Sequence, residues 1–486
     1  MLYDKLEKYA KSGSYPMHMP GHKRNAELLP IGLPYDIDIS EIFGFDNMHD
    51  PQGLLKELAE LAAELYGSTL AFPLINGSTA GIMAAIGAHA KHGEKILLAR
   101  NCHISAYNAM TLFGLSPVYI LPETENEIGI AGSIDPMSVK SVLESNPDIK
   151  LIVITSPTYE GIISDVASIA AIAHESCVPV LVDSAHGAHL GFSGGFPESA
   201  VKAGADLVVM SLHKTLPALT QCALLHICSE RADANEVARL LSVFQTSSPS
   251  YVLLASIDSC LRLLVSEGSR LFREYEDRLN RFSREVAFLE KLSIFPMSNE
   301  NTQPAFPAFY ERDPSKIVIA TNKTMLNGSM LSDQLRFEHR IEIEMACAEY
   351  ALAMTSICDT REGFARLAEA LLEIDKQAQY AGNGDGGSSL PMMPKPGKLA
   401  LPESLEKPGE AIKGNGRFIP IGEALGFMSL EYVWAYPPGI PIIVPGELIN
   451  ADIVAYIEGL MRAGIVPKSQ QGEMPEYIYA VGNLSI

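Results

Sequence analysis

Apolar positions recur along this chain in two rhythms. From Gln52 onward, Leu54, Leu55, Leu58, Leu61, Ala62 and Leu65 return at helical spacing and stop at Gly67, which predicts a helix leading into the main domain. Beyond it, short apolar runs bounded by turn residues lie at 95–99, 151–155, 178–182, 205–210 and 223–227, separated by helix-length stretches. Runs of that length and continuity fit strands buried on both faces, so the alternation predicts a mostly parallel sheet with helical crossovers, an α/β fold. Residues 266–293 are charged and amphipathic, and predict a long helix bridging a large domain and a smaller one.

Two stretches break the rhythm. Residues 1–50 carry HMPGHKR and DISEIFGFDNMHDPQG after a short amphipathic segment, which reads as an arm that wraps a neighbour or covers a cleft. Residues 376–416 are rich in Gly, Pro and Ser and read as a flexible loop. The expected division is therefore an arm over 1–50, a large domain over 51–265, a linking helix with a small α/β domain over 266–375, the loop, and a C-terminal domain over 417–486.

Composition narrows the function classes. With 37 Lys+Arg against 58 Asp+Glu, the formal charge of -21 argues against nucleic acid or an anionic membrane as the main partner. Such acidity usually serves solubility, and favours cationic small molecules only weakly. The seven cysteines form no CxxC pair and most sit in apolar runs, as reduced thiols of a cytoplasmic protein would. The N-terminal segment has no signal-peptide core, and no apolar run approaches the roughly 20 residues of a membrane span.

In doubly wound sheets ligands sit beyond the carboxyl ends of the strands, so polar residues that follow apolar runs are the ones to test. Four places qualify. NGSTAG puts the amides of Gly77, Ser78 and Thr79 at a helix N-terminus suited to a phosphate, although taken alone the motif is better explained as an ordinary Ser/Thr helix cap. PVLVDSAHGAH ends a buried strand at Asp183, followed by Ala185, His186 and His189; no cluster of cysteine and carboxylate partners accompanies these histidines, so no metal site is expected. ADLVVMSLHKTLPALTQ places Ser211, His213, Lys214 and Thr215 after another buried strand, where burial favours the neutral lysine amine. EKILLARNCHIS sets His103 just past a fourth strand. A phosphate cradle, an aromatic ring, an acid and a nucleophilic amine together make the inventory for pyridoxal 5'-phosphate.

The chain resembles the ornithine/lysine/arginine decarboxylase family of fold-type I pyridoxal-phosphate enzymes, in its shorter form without an N-terminal wing domain. The likeness runs nearly end to end, through HMPGHK, DNMHDPQG, NGSTAG, RNCHIS, SPTYEG, DSAHGAH, SLHKTLPALTQ, QTSSPSY and YPPGIPIIVPGE. It implies an aspartate-aminotransferase-like large domain with a seven-stranded sheet, and a smaller α+β C-terminal part. It further implies that Lys214 is the Schiff-base lysine and that Asp183 pairs with the pyridine nitrogen. Ser78, Thr79, Ser211 and His213 would hold the phosphate, with His103 on one face of the ring, Ala185 on the other and His186 beside it. Thr246, Ser247 and Ser248 would reach the phosphate from a partner subunit, which makes a homodimer, or a larger assembly of dimers, the expected state. Glu447 in VPGE would meet the substrate's cationic end; its alternative role is an acid at the start of the helix in LINADIVAYIEGL. Arg24 and Asn25 stand where glycines are expected, and His186 where longer relatives carry tryptophan.

The activity implied is decarboxylation of arginine, lysine or ornithine to the corresponding amine and carbon dioxide, with Lys214 or His213 returning a proton to the α-carbon. The same lysine and aspartate also serve aminotransferases and aldolases. An aminotransferase normally clamps the substrate carboxylate with arginine, and Arg361, Arg366, Arg417 and Arg462 lie in no motif with that role. A third reading is a non-catalytic cofactor-binding paralogue.

Overall fold

The computed structural model describes residues 1–12, 19–20, 23, 32–125, 128–295, 309–380, 401–435, 440–462 and 465–483. The alternating apolar runs become strands β1 (Leu70–Leu74), β2 (Lys95–Ala99), β3 (Ser116–Ile120), β4 (Ile149–Thr155), β6 (Val180–Asp183), β7 (Leu207–Ser211) and β8 (Ala223–Ile227), with a two-residue β5 (Ile162–Ile163) outside the main sheet. They assemble in the order β1-β8-β7-β6-β4-β2-β3. All neighbours from β7 to β3 are parallel, and β8 alone is reversed, antiparallel to both β7 and β1. The seven-stranded, mostly parallel sheet of the sequence reading is thus present.

Burial explains which strands the pattern revealed. Every residue of β6, β7 and β8 is buried, as a strand covered on both faces must be. The edge strands β1 and β3 are mostly half-buried and include Pro73 and Pro117, so neither has a continuous apolar run. The helix Gly77–His89 lies against the sheet so closely that a Cβ on Gly81 would sit 2.6 Å from Leu74 Cδ1 and 3.2 Å from Val209 Cγ1.

On β8, fully buried His226 meets Ser68 Oγ at 2.9 Å, and burial pushes its pKa down to about 3 from the ordinary 6.5. The unfolded chain therefore takes up this proton first: the stabilising neutral form is retained above about pH 6.5, and stability falls as pH drops from there towards 3. A fall from pH 7 to 5 is expected to cost about 2 kcal/mol through this group alone. Urea unfolding of His226→Asn at the two pH values should show a loss smaller by that amount than in the wild type.

The long helix begins earlier than its charged half suggests. It runs Tyr251–Glu285, 35 residues, with Ser250 Oγ accepting from Leu253 N at 3.4 Å, and passes into a short turn at Val286–Phe288 rather than reaching 293. Its first half, YVLLASIDSCLRLL, is too apolar to show one-sided periodicity, because it packs in the core. The start of the arm docks on it: helix Leu2–Ala10 buries Leu2 and Leu6, and Leu2 N donates to Asp258 Oδ2 at 3.0 Å. Asp46 accepts from the amides of Asn47, Gln52, Gly53 and Leu55, which prepares the N-terminus of helix Leu54–Tyr66. Of HMPGHKR, only Met19, Pro20 and Lys23 fall within the described residues, so the arm's expected covering role, with Arg24 and Asn25, lies outside them.

Beyond the long helix, Ser293–Phe295, Lys316–Ala320, Met345–Ala346 and Tyr350–Met354 form a four-stranded antiparallel sheet. Two three-stranded sheets and helix Ala451–Arg462 follow towards the C-terminus, around a separate core that includes Ile443, Ile453, Ile457 and Ile478. Within the expected loop of 376–416, residues 381–400 lie outside the described residues, while Pro408–Ala411 forms one helical turn. Among the described residues, no helix is long and apolar enough to cross a membrane.

Candidate active site

The carboxyl ends of the central strands converge on one cleft. Asp183, the last residue of β6, stands in register beside Thr155 of β4 and Val209 of β7. Ser211 ends β7, and the turn Leu212–Thr215 that follows carries Lys214. His103 caps helix Ile104–Phe113, its Nδ1 accepting from Ser105 N at 3.2 Å. The cleft is lined by six of the expected residues, Ser78, His103, Asp183, Ala185, His186 and Lys214. Sequence reasoning missed Asn101, Thr155, Tyr159, Glu160 and Ile440, which line it too. The strand-end rule applied to β4 would have flagged Thr155 and the SPTYEG segment. Nothing local marks Ile440, which arrives from the C-terminal part.

Burial sets the charges. Lys214 Nζ lies 3.0 Å from His186 Nε2 and 5.9 Å from the centre of the Tyr159 ring. Desolvation pulls the Lys214 amine below its ordinary pKa, against the opposing pull of Asp183 and Glu344. His186 is driven well below the usual imidazole range by burial and by the nearby Lys214, so it is neutral and its Nε2 accepts from the lysine. The imidazole of His103 is also lowered by burial, while Asp183 works in the other direction. Burial raises the Asp183 carboxyl, and His103 and Lys214 counter it; Ala185 N donates to its Oδ1 at 3.1 Å.

Among the described residues, several polar atoms here have no hydrogen-bond partner. Asn101 Oδ1, Ser184 Oγ, His186 Nδ1 and Ser211 Oγ are buried and unpaired. Each such group costs about 1–3 kcal/mol if left so, and their concentration at the strand ends marks a place made for a polar ligand. Behind the cleft, fully buried Lys316 donates to Asp313 Oδ2 at 2.8 Å and to Ser315 Oγ at 3.0 Å, and His189 Nε2 meets Asp313 Oδ1 at 3.0 Å. Burial would raise Asp313, but His189 and Lys316 hold it well below the usual carboxylate range. His189 is thus part of a buried charge cluster, and among the described residues no group of three or more His, Cys, Asp or Glu could hold a metal ion.

Other expected site residues lie apart from the cleft wall. Gly77, at φ +72, donates its amide to Gln221 O at 3.0 Å, so that N–H is already used. Thr79 is exposed at the same helix start. His213 is turned with Nδ1 3.0 Å from Cys222 O, which leaves Lys214 as the better placed of the two candidate proton carriers. Thr246 and Ser247 are exposed; Thr246 N donates to Asn76 Oδ1 at 3.3 Å, beside the cradle of the same chain.

Glu447, the acid expected for the substrate's cationic end, is not among the residues that line the cleft. Its carboxylate is 2% exposed, accepts from Arg100 Nη1 at 2.9 Å and Nη2 at 2.8 Å, and also accepts from Val444 N at 2.8 Å. Burial works against the Arg100 cation, but Glu447 outweighs it and holds the guanidinium charged. With both oxygens engaged, Glu447 fastens the C-terminal part to Arg100 at the end of β2. Arg100→Met is expected to destabilise by about 3–5 kcal/mol, because it leaves a buried carboxylate unpaired, whereas Arg100→Met with Glu447→Leu should recover most of that. Thermal unfolding of the two variants and the wild type reads the difference.

Against this geometry, residues 1–317 match the family described as Orn/Lys/Arg decarboxylase, major domain, and residues 401–464 its C-terminal domain. An arginine decarboxylase of Bacillus subtilis (strain 168) is 34% identical over 470 residues, 96% of this chain and 94% of that protein. One of Bacillus anthracis is 31% identical over 471 residues, 96% of this chain and 93% of the other. The crystal structure of the Francisella novicida lysine decarboxylase LdcF superposes with a TM-score of 0.82 at 20% identity, covering 99% of this chain and 81% of that one, a likeness of fold. Conserved length, matched domains and a shared fold converge on one conclusion: this chain belongs to the ornithine/lysine/arginine decarboxylase family.

Proposed function

We propose that the chain decarboxylates a basic amino acid, arginine first among the three, with pyridoxal 5'-phosphate bound in the cleft at the ends of β4, β6 and β7. The observation that carries this is the pairing of a buried carboxylate, Asp183, with a lysine whose amine is shifted towards neutrality, Lys214, in one cleft ringed by unpaired polar atoms. Those residues fit the cofactor. Asp183 has acceptor capacity left for a ring N–H, Ser211 Oγ and the helix start at Ser78 suit a phosphate, and Lys214 suits an aldehyde. Arginine is placed first because the relatives of about one-third identity over nearly the whole chain bear that name.

When bound, pyridoxal phosphate supplies an electron sink for the charge left at the α-carbon as carbon dioxide departs. The side chains do the rest. Lys214, whose amine burial shifts towards neutrality, would hold the aldehyde of the cofactor, and its Nζ would be placed to return a proton to the α-carbon. His186 Nε2, 3.0 Å away, holds that amine in position. Asp183 would stabilise positive charge on the ring nitrogen, and His103, whose imidazole burial keeps towards its neutral form, would offer a face to the ring. Thr246 and Ser247, exposed beside the cradle, are read as reaching the site of a second copy in a homodimer. Seven thiols without a disulfide support a reducing compartment, the cytoplasm.

The test is release of labelled carbon dioxide from carboxyl-labelled arginine, lysine and ornithine by the cofactor-loaded protein. Release from at least one supports the reading; keto-acid formation without it would replace decarboxylation with transamination.

A further inference from the structure

The cleft holds two buried carboxylates, and only one has a task so far. Glu160, 7% exposed, lines the cleft on the segment that follows β4, next to Tyr159. Its Oε1 accepts from the hydroxyl of Tyr350 at 2.7 Å. Several other buried acids have a cationic partner: Glu447 has Arg100, Asp313 has Lys316 and Asp258 has Arg262. Among the described residues, no cationic side chain comes within ion-pairing distance of Glu160. Burial accordingly raises its pKa, with only neutral donors to offset it.

Its placement is rigid. Thr158 N donates to Ile162 O at 2.8 Å, Gly161 N to Thr158 O at 3.0 Å and Asp313 N to Gly161 O at 2.8 Å. Gly161 sits at φ +89, and a Cβ there would lie 2.8 Å from Lys316 Cγ, so the turn that presents Glu160 admits little else. Upstream, Ser156 N donates to Asp183 O at 3.1 Å, which ties this turn to the strand end carrying the other acid. A buried carboxylate held still in a cleft, without a countercharge, is a receptor for a cation brought by the ligand.

Resting on the decarboxylase reading above, we propose that Glu160 is the specificity-determining residue that receives the guanidinium or ammonium at the far end of the substrate. Tyr350 orients the carboxylate, and the Tyr159 ring adds an aromatic wall beside it. A guanidinium matches a carboxylate through two parallel N–H donors, so arginine gains most from this arrangement.

The experiment compares kcat/KM for carbon dioxide release from arginine and from its neutral isostere citrulline, using cofactor-loaded wild type, Glu160→Gln and Glu160→Asp. In Glu160→Gln the arginine value is expected to fall roughly 10²–10³-fold, mainly through KM, while citrulline changes little and cofactor absorbance is retained. Glu160→Asp should keep most of the preference for the cation. A Glu160→Gln enzyme that still prefers arginine as strongly as the wild type overturns the proposal. If that variant does not fold, Tyr350→Phe takes its place: KM for arginine rises severalfold at nearly constant kcat, and an unchanged KM overturns the assignment. If the wild type releases carbon dioxide from none of the basic amino acids, the decarboxylase reading fails by itself. Glu160 is then judged by calorimetric titration of agmatine into wild type and Glu160→Gln, where equal affinity rejects it.

Discussion

Lys214→Ala is expected to abolish the visible absorbance of lysine-bound pyridoxal phosphate and to lower carbon dioxide release by about 10⁴-fold or more. The size follows from the chemistry, since the side chain is proposed both to hold the aldehyde and to return the proton. No neighbour can take over. His186 is fixed 3.0 Å from the lysine amine but is held neutral well below the imidazole range, and His213 is turned to Cys222 O. Borohydride treatment followed by intact-mass measurement provides the check: the wild type should gain one reduced cofactor and the variant none. A variant that still fixes the cofactor and turns over within tenfold of the wild type would refute the assignment of Lys214.

Asp183→Asn is expected to reduce kcat by about 10²–10³-fold with little change in KM and with the cofactor still bound. Asparagine preserves the shape at the end of β6 and can still accept from Ala185 N, but it carries no charge to hold a proton on the ring nitrogen. The effect should therefore appear in the chemical step and leave binding almost intact. Single-turnover measurements separate the two, and a variant within threefold of wild-type kcat would show that this carboxylate does not govern the electron sink.

Legibility followed burial. The central strands and the Asp183 and Lys214 ends were readable because a strand covered on both faces leaves a continuous apolar run, and the first polar residue beyond it points to the ligand edge. The first half of helix Tyr251–Glu285 was hidden for the opposite reason, as its core packing removes the one-sided pattern. The pairing of Glu447 with Arg100 was not legible because the two are remote in sequence and only the folded chain brings them together. Glu160 was passed over inside a quoted motif. What sets it apart is that it lines the cleft with no cation among the described residues to pair with it, a property of the surroundings that no residue string displays.

The walls of the cleft arrive from Ser78 at one end of the chain order and Ile440 at the other, the latter held by the Arg100–Glu447 clasp. No contiguous fragment can present such a hollow, and it exists only once distant loops have closed. Whatever occupies it therefore acts as a thermodynamic keystone: its binding free energy adds to that of the whole native chain, through RT ln(1 + [L]/Kd).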